Sequence, residues 1–404
     1  MLLKKSWGFF PSVFVDPLEN YFGSVFEWRK EQEHGCHKPG TKTYLTVEYV
    51  VKNDYVTPFE ASTDLLRLGV QSILQDDFTR PFEVTKEESS FLKFPRDKSN
   101  VPFYLVGFLV RYGILLPIRL CLMTITISFL TASAVVCVVF NANQKFQRYC
   151  GITYAKMFNF SSGLIVNFHD KQNRPKMPGV AVSNHISAND VMTIYSGCDY
   201  DGKGYTITGQ THGGFVKYLF KYGGKLTPLL LVDRACETDR KALHRKIVEH
   251  SQRADEEAYP VLLFPEGYCT NNKVVLQFRK AIFDGHAPIY PLALRQNPRF
   301  GDSFWAERTY LPYLFRLMTS WCSIIDIYYL PPMYKSESES KEEFAKRVQL
   351  AIATKISVDA LPFDGRMKNE SEREKYRRKL QSCLATKQWG GVEEKPEVVD
   401  ERLI

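Results

Sequence analysis

The sequence predicts an α/β domain with a mostly parallel sheet covered by helices, preceded by a transmembrane or re-entrant helical hairpin. Two patterns carry that prediction. From about residue 150, short β-branched runs alternate with segments of helical periodicity, as they do where crossover helices join parallel strands. Ahead of them, Leu120–Phe140 runs 21 residues without a charge, enough to cross about 30 Å of hydrocarbon as a helix. The 404 residues suit two or three average domains or one large domain with additions. With 44% hydrophobic and 24% charged residues, the chain is neither disordered nor collagen-like, nor a transporter made mostly of spans. A net charge of +8, from 53 basic and 45 acidic side chains, is too small an excess for a dedicated nucleic-acid binder. It suits a protein that faces anionic lipid or phosphorylated substrates. Nine cysteines without a CxxC pair offer no disulfide framework or zinc ribbon, so reduced, cytosol-facing thiols are expected.

The elements follow in chain order. Residues 1–100 read as an N-terminal cytosolic region. Pro11 and Asp16 break its early apolar run, so no signal peptide is expected. Ala61–Leu74 reads as an amphipathic helix capped at Ser62 or Thr63. His34, Cys36 and His37 lack a fourth ligand at metal-binding spacing and read as a loop. Residues 101–141 read as the membrane hairpin. Its first limb, Val101–Ile118, is interrupted only by Arg111 and Pro117, and basic residues flank both ends of the pair. One true span preceded by an interfacial helix is the competing arrangement.

Residues 150–365 form the expected catalytic domain. Strands are predicted at Leu164–Phe168, Val180–Ser183, Tyr205–Thr208, Leu229–Val232, Val261–Phe264, Ile289–Leu294 and Ile324–Leu330. Helices are predicted at Phe215–Tyr222, Ala235–Gln252, Leu276–Phe283 and Phe344–Lys355. Residues 366–404 read as a charged helix through Leu384 and an acidic tail.

In such sheets ligands gather at the carboxyl ends of strands. The strand ending at Ser183 runs into Asn184-His185-Ile186-Ser187-Ala188-Asn189-Asp190. Five residues on a regular helix lie about 140° apart, so only a strand-to-helix turn brings His185 to Asp190. A carboxylate on one imidazole nitrogen raises the basicity of the other, giving a general base for an alcohol. The loop Pro265-Glu266-Gly267-Tyr268 follows another strand, then Arg279-Lys280. Glu266 can bond a hydroxyl, Gly267 allows close backbone approach, and the basic pair can meet phosphate. Arg234, after a third strand, has the planar fork that phosphate recognition favours. Taken singly, each of these residues has an ordinary structural reading, as a satisfied loop histidine or a surface ion pair.

Together they resemble the glycerolipid acyltransferase superfamily. His185-x4-Asp190, LLLVDR, Phe264-Pro265-Glu266-Gly267 and Ile289-Tyr290-Pro291-Leu292-Ala293 stand in the order of its four motif blocks. The stretches LVRYGILLPIRL, GQTHGG, FPEGYCTNN, RFGDSFW, RLMTSW and YYLPPM are similar to the endoplasmic-reticulum glycerol-3-phosphate acyltransferases. The resemblance spans about residues 62 to 384. It implies acyl transfer from acyl-CoA to the sn-1 hydroxyl of glycerol 3-phosphate, giving lysophosphatidic acid. His185 would be the base and Asp190 its orienting group. Arg234 would bind the phosphate, and Glu266 and Gly267 would shape the acceptor pocket. No cofactor, metal or covalent intermediate is implied. The membrane would be that of the endoplasmic reticulum, with the catalytic domain facing the cytosol.

The sequence departs from the family at Tyr268, where a threonine is usual, and at Ile186 and Ala188 of the first block. These departures bear on acceptor choice, so a lysophospholipid acceptor stays open, as does an inactive membrane scaffold. With a cytosolic catalytic domain, the sequons at Asn159 and Asn369 are expected to stay unglycosylated.

Overall fold

A computed structural model describes residues 78–84, 101–210, 213–232, 259–284 and 287–376, together with Arg245, Ile247, Glu249 and Arg378. The expected helix at 61–74, the histidine–cysteine loop at 34–37 and the acidic tail lie outside these residues, as does most of the helix expected at 235–252.

The apolar N-terminal segment is one continuous helix, α1 (Val101–Val139). The hairpin expected across 101–141 is not formed. Pro117, an interruption of the first limb in the sequence, is preceded by a π-helical stretch at Val110–Leu115. There Leu116 N–H donates to Arg111 O, five residues back. The wider turn absorbs the missing proline donor and lets the helix run on.

A tight turn leads into α2 (Gln144–Ser162), capped by Asn143 Oδ1, which accepts from Phe146 N–H at 2.9 Å. Sequence reading passed over this helix because Arg148, Lys156, Asn159 and Ser161 are polar yet buried, which blurs its apolar stripe. Asn159 is 1% exposed, and its amide donates to Met192 O and Ser196 Oγ.

The sheet follows: β1 (Leu164–His169), β2 (Val180–Ser183), β3 (Thr206–Gln210), β4 (Leu229–Val232), β5 (Val261–Leu263), β7 (Ile289–Asn297) and β8 (Ser323–Tyr329). Their order is β1-β8-β7-β2-β5-β3-β4. All neighbours are parallel except β7 and β8. The short strands β6 (Val274–Val275) and β9 (Asp359–Ala360) pair separately. The helices are α3 (Asp190–Tyr195), α4 (Gly214–Gly223), α5 (Tyr310–Thr319) and α6 (Lys341–Lys355). The mostly parallel, helix-covered sheet predicted from the alternation is present.

Both faces of the sheet are dry, which is why its strands read as apolar runs rather than as alternation. Ala181 and Leu262 point into a core shared with α1, α2, α3 and α5. Their neighbours Val180, Val182 and Val261 point to the other face, against Phe344, Val348 and Ile352 of α6. A capping box starts α6: Glu343 N–H donates to Ser340 Oγ, and Ser340 N–H to Glu343 Oε2.

The helix expected at Leu276–Phe283 is absent apart from a 3₁₀ turn at Lys280–Phe283. The backbone there is claimed by other partners: Leu276 N–H bonds Glu266, Gln277 N–H bonds Phe363 O, and Arg279 N–H bonds Pro265 O.

Candidate active site

The carboxyl end of β2 sits mid-sheet between β5 and β7. Asn184 pins the loop that leaves it, with Nδ2 donating to Leu294 O and Oδ1 accepting from Leu294 N–H. The chain then turns sharply enough for His185 Nδ1 to meet Asp190 Oδ2 at 2.9 Å. Asp190 makes the turn possible. Its fully buried Oδ2 also accepts from Ile186 N–H at 2.6 Å and Ser187 N–H at 3.0 Å, and Oδ1 accepts from Ser187 Oγ at 2.9 Å. A carboxylate satisfied this completely is fixed in place, and it fixes the imidazole tautomer that leaves Nε2 for substrate. Phe264 stacks on the ring, centroids 4.3 Å apart, and holds its plane.

The third loop is knitted to the first. Glu266, fully buried, accepts from His185 N–H through Oε1 at 2.9 Å and from Leu276 N–H through Oε2 at 3.1 Å. Thr270 N–H donates to His185 O at 2.8 Å. Burial pushes the Glu266 carboxyl up to about 8, against these two backbone donors. Glu266 therefore braces the histidine loop, with both carboxylate oxygens accepting from backbone N–H groups.

For His185, burial favours the neutral ring. The Cys269 sulfur and the Asp190 carboxylate oppose burial and outweigh it, so the pKa lies above the ordinary histidine value. Gly267 holds φ +72°, and a Cβ there would lie 2.8 Å from the Arg279 guanidinium carbon. Glycine lets that cation lie across the loop.

A cleft of about 820 Å³ opens over His185. Its lining includes the apolar Phe158, Met192, Leu219, Phe220 and Leu226 and the cations Arg279, Lys280, Lys341 and Lys368. Sequence reading missed Lys341 and Lys368, which lie far along the chain and carry no local motif. Lys280 pairs with Glu342 of α6 at 3.0 Å. Tyr268 lines the cleft and packs on Gly365, where even a Cβ would approach its ring to 2.2 Å. The phenol that departs from the family pattern is thus seated against a glycine in the segment after β9. Arg234 lies outside the described residues. Among those residues, no group of three histidine, cysteine, aspartate or glutamate side chains is arranged to hold a metal ion.

A helix-covered parallel sheet with a His–Asp pair at a central strand end defines an acyltransferase domain, and a family model described as Acyltransferase matches residues 165–295. Glycerol-3-phosphate acyltransferase 4 of Homo sapiens is 31% identical over 389 residues, covering 88% of this chain and 83% of that protein. Glycerol-3-phosphate acyltransferase 3 of Mus musculus is 33% identical over 327 residues, covering 78% and 73%. The chain belongs to the glycerol-3-phosphate acyltransferase family. Among solved structures, the 1-acyl-sn-glycerophosphate acyltransferase of Thermotoga maritima is similar at 15% identity and a TM-score of 0.40, over 58% of this chain and 95% of that one.

Proposed function

We propose that this protein transfers an acyl group from acyl-CoA to the sn-1 hydroxyl of glycerol 3-phosphate, releasing lysophosphatidic acid and coenzyme A. The observation that carries this reading is the His185–Asp190 pair at a cleft lined by both apolar and basic residues. The apolar lining suits the acyl chain and the basic lining suits phosphate. His185 Nε2 takes the hydroxyl proton as the oxygen attacks the thioester carbonyl. The carbon–sulfur bond then breaks and the imidazolium returns the proton to the departing thiolate. Asp190 stabilises the imidazolium while it exists. The thioester is already activated, so the protein mainly positions two substrates and moves one proton. Neither a cofactor nor a covalent intermediate enters this scheme.

In this reading Arg279 and Lys280, which line the cleft, neutralise the phosphate, and Arg234, two residues beyond β4 in the sequence, is a further phosphate ligand. The family supports a site at the endoplasmic-reticulum membrane with the catalytic domain on the cytosolic side.

Purified full-length protein, given labelled acyl-CoA and a panel of acceptors, tests the proposal. Labelled lysophosphatidic acid from glycerol 3-phosphate is the expected product. Faster turnover of a lysophospholipid would reassign the acceptor, and no turnover of any acceptor would favour a scaffold.

A further inference from the structure

β7 runs parallel to β2 and on past its end, where Leu294 clasps Asn184 at the head of the histidine loop. The chain that leaves β7 adds Trp305 to the lining of the cleft. That chain is firmly held. Ser303 N–H and Oγ donate to Gln296 Oε1 at 3.0 and 2.6 Å. Arg316 donates to Asp302 O and to Phe304 O, each at 2.6 Å. Trp305 N–H donates to Ile186 O at 3.3 Å, which ties its backbone to the residue after His185. Its indole packs against the Tyr310 ring, edge-on with centroids 6.2 Å apart, and against the Tyr313 ring at 5.9 Å.

A ring boxed in this way cannot turn its N–H elsewhere. Yet Trp305 Nε1 is shielded from solvent and has no hydrogen-bond partner among the described residues. An indole N–H can only donate. A buried donor without an acceptor costs free energy that folded proteins rarely leave unrecovered. In the wall of a substrate cleft, the ligand can supply the missing acceptor. The backbone amides nearest the histidine are already spent. His185 N–H goes to Glu266, Ile186 N–H and Ser187 N–H go to Asp190, and Asn189 N–H goes to Ser187 Oγ. On the Glu266 loop, Gly267 N–H goes to Phe264 O and Thr270 N–H to His185 O.

We infer that the Trp305 indole N–H donates to the carbonyl oxygen of the bound acyl thioester. The inference rests on the acyl-CoA reading above, but not on which acceptor is used. As the acceptor oxygen bonds the carbonyl carbon, the π pair of the carbonyl moves onto its oxygen. The indole N–H stabilises the charge that gathers there. The pair returns as the carbon–sulfur bond breaks, and the departing thiolate takes the proton from His185. A donor fixed beforehand in a shielded wall does this without reorganising.

The test reads the carbonyl itself. Full-length protein is mixed with acyl-CoA isotopically labelled at the thioester carbon, without acceptor, and the bound carbonyl band is recorded by difference infrared spectroscopy. The band should lie at lower frequency in the wild type than in Trp305→Phe, which keeps an aromatic ring and removes the N–H. One frequency for both proteins, or no bound band in the wild type, would overturn the inference. This measurement needs no turnover, so a failed acceptor assay would reassign the acceptor and leave the carbonyl contact standing. With whichever acceptor the wild type uses, Trp305→Phe should lower kcat on the order of 10²–10³-fold, with both KM values changed by less than about twofold. Trp305→benzothienylalanine, which keeps the bicyclic shape and puts sulfur in place of the N–H, should do the same without lowering the thermal midpoint. A kcat within about threefold of wild type for this variant, or a midpoint several degrees lower, would leave Trp305 a packing residue only.

Discussion

At the scale of single residues, most of the chemistry hangs on how His185 is held. Replacing it by alanine should lower turnover by roughly 10²–10⁴, because it removes the only group proposed to take the proton. A variant keeping a tenth of wild-type activity in the labelled acyl-CoA assay would strip His185 of that role. The pH dependence follows from its surroundings. Burial resists protonation, but Cys269 and Asp190 outweigh it, so the ring holds its proton above pH 6.5. A base must be unprotonated to act, so kcat/KM should climb through a pKa above the ordinary 6.5. A profile already flat at pH 6 would contradict the geometry. Gly267→Ala should raise the KM for glycerol 3-phosphate severalfold more than that for acyl-CoA. The left-handed backbone costs alanine about 1 kcal/mol, and the new methyl displaces the Arg279 guanidinium. Equal rises in both constants would point to a collapsed loop instead. His185 and Asp190 were legible because they sit in the loop after a recognisable strand. Glu266 was found for a different reason from the one its position gives it. A carboxylate bonded only to backbone N–H groups leaves no trace in sequence spacing.

At the scale of elements, the strands were easy to find and two helices were not. β2, β4 and β5 are short apolar runs between turn residues, and their predicted limits fall within a residue of the observed ones. α2 escaped because its buried face is partly polar, and α5 because Pro312 in its first turn reads as a breaker although a proline is tolerated there. α1 was read as two limbs and is one helix, since a π turn ahead of Pro117 keeps the ladder going in a way no residue pattern announces. Arg111, read simply as an interruption of an apolar stretch, and Arg119, which the reading passed over, terminate a different helix. Arg119→Ala should therefore destabilise the protein by about 3 kcal/mol or more, leaving three buried carbonyls without their donor. Thermal inactivation in detergent would show it as a drop in midpoint of several degrees. Arg119→Lys should recover little, because an ammonium cannot spread over three acceptors as the planar fork does. A midpoint within a degree of wild type for the alanine variant would mean the α5 carbonyls find water.

At the scale of the whole molecule, the order of the strands explains why the site is where it is. The central strand β2 carries the histidine, β5 delivers the Glu266 loop, and β7 receives the Asn184 clasp. The sequence foretold the sheet but not this layout, because pairing between distant strands is set by packing rather than local pattern. Nor did it foretell that the membrane segment belongs to the core. Met123, Leu130 and Cys137 are buried with residues of the sheet and of α2, so 150–404 expressed without residues 101–140 should fail to fold cooperatively. Rapid limited proteolysis and aggregation on size exclusion are expected. A monodisperse, protease-resistant fragment would show that α1 is an appendage.

The sequon at Asn159 acquires a meaning of its own from its burial. Oligosaccharide is added to an unfolded chain on the lumenal side of a membrane, before α2 can close over that amide. With the catalytic domain facing the cytosol, as proposed above, a molecule threaded the other way would carry a sugar on a nitrogen that must donate to Met192 and Ser196. It could never complete its core. Under that proposed orientation, misdirected copies of this protein are barred from becoming misdirected enzymes, and the cell is left with a clearance task rather than with lipid synthesis on the opposite side.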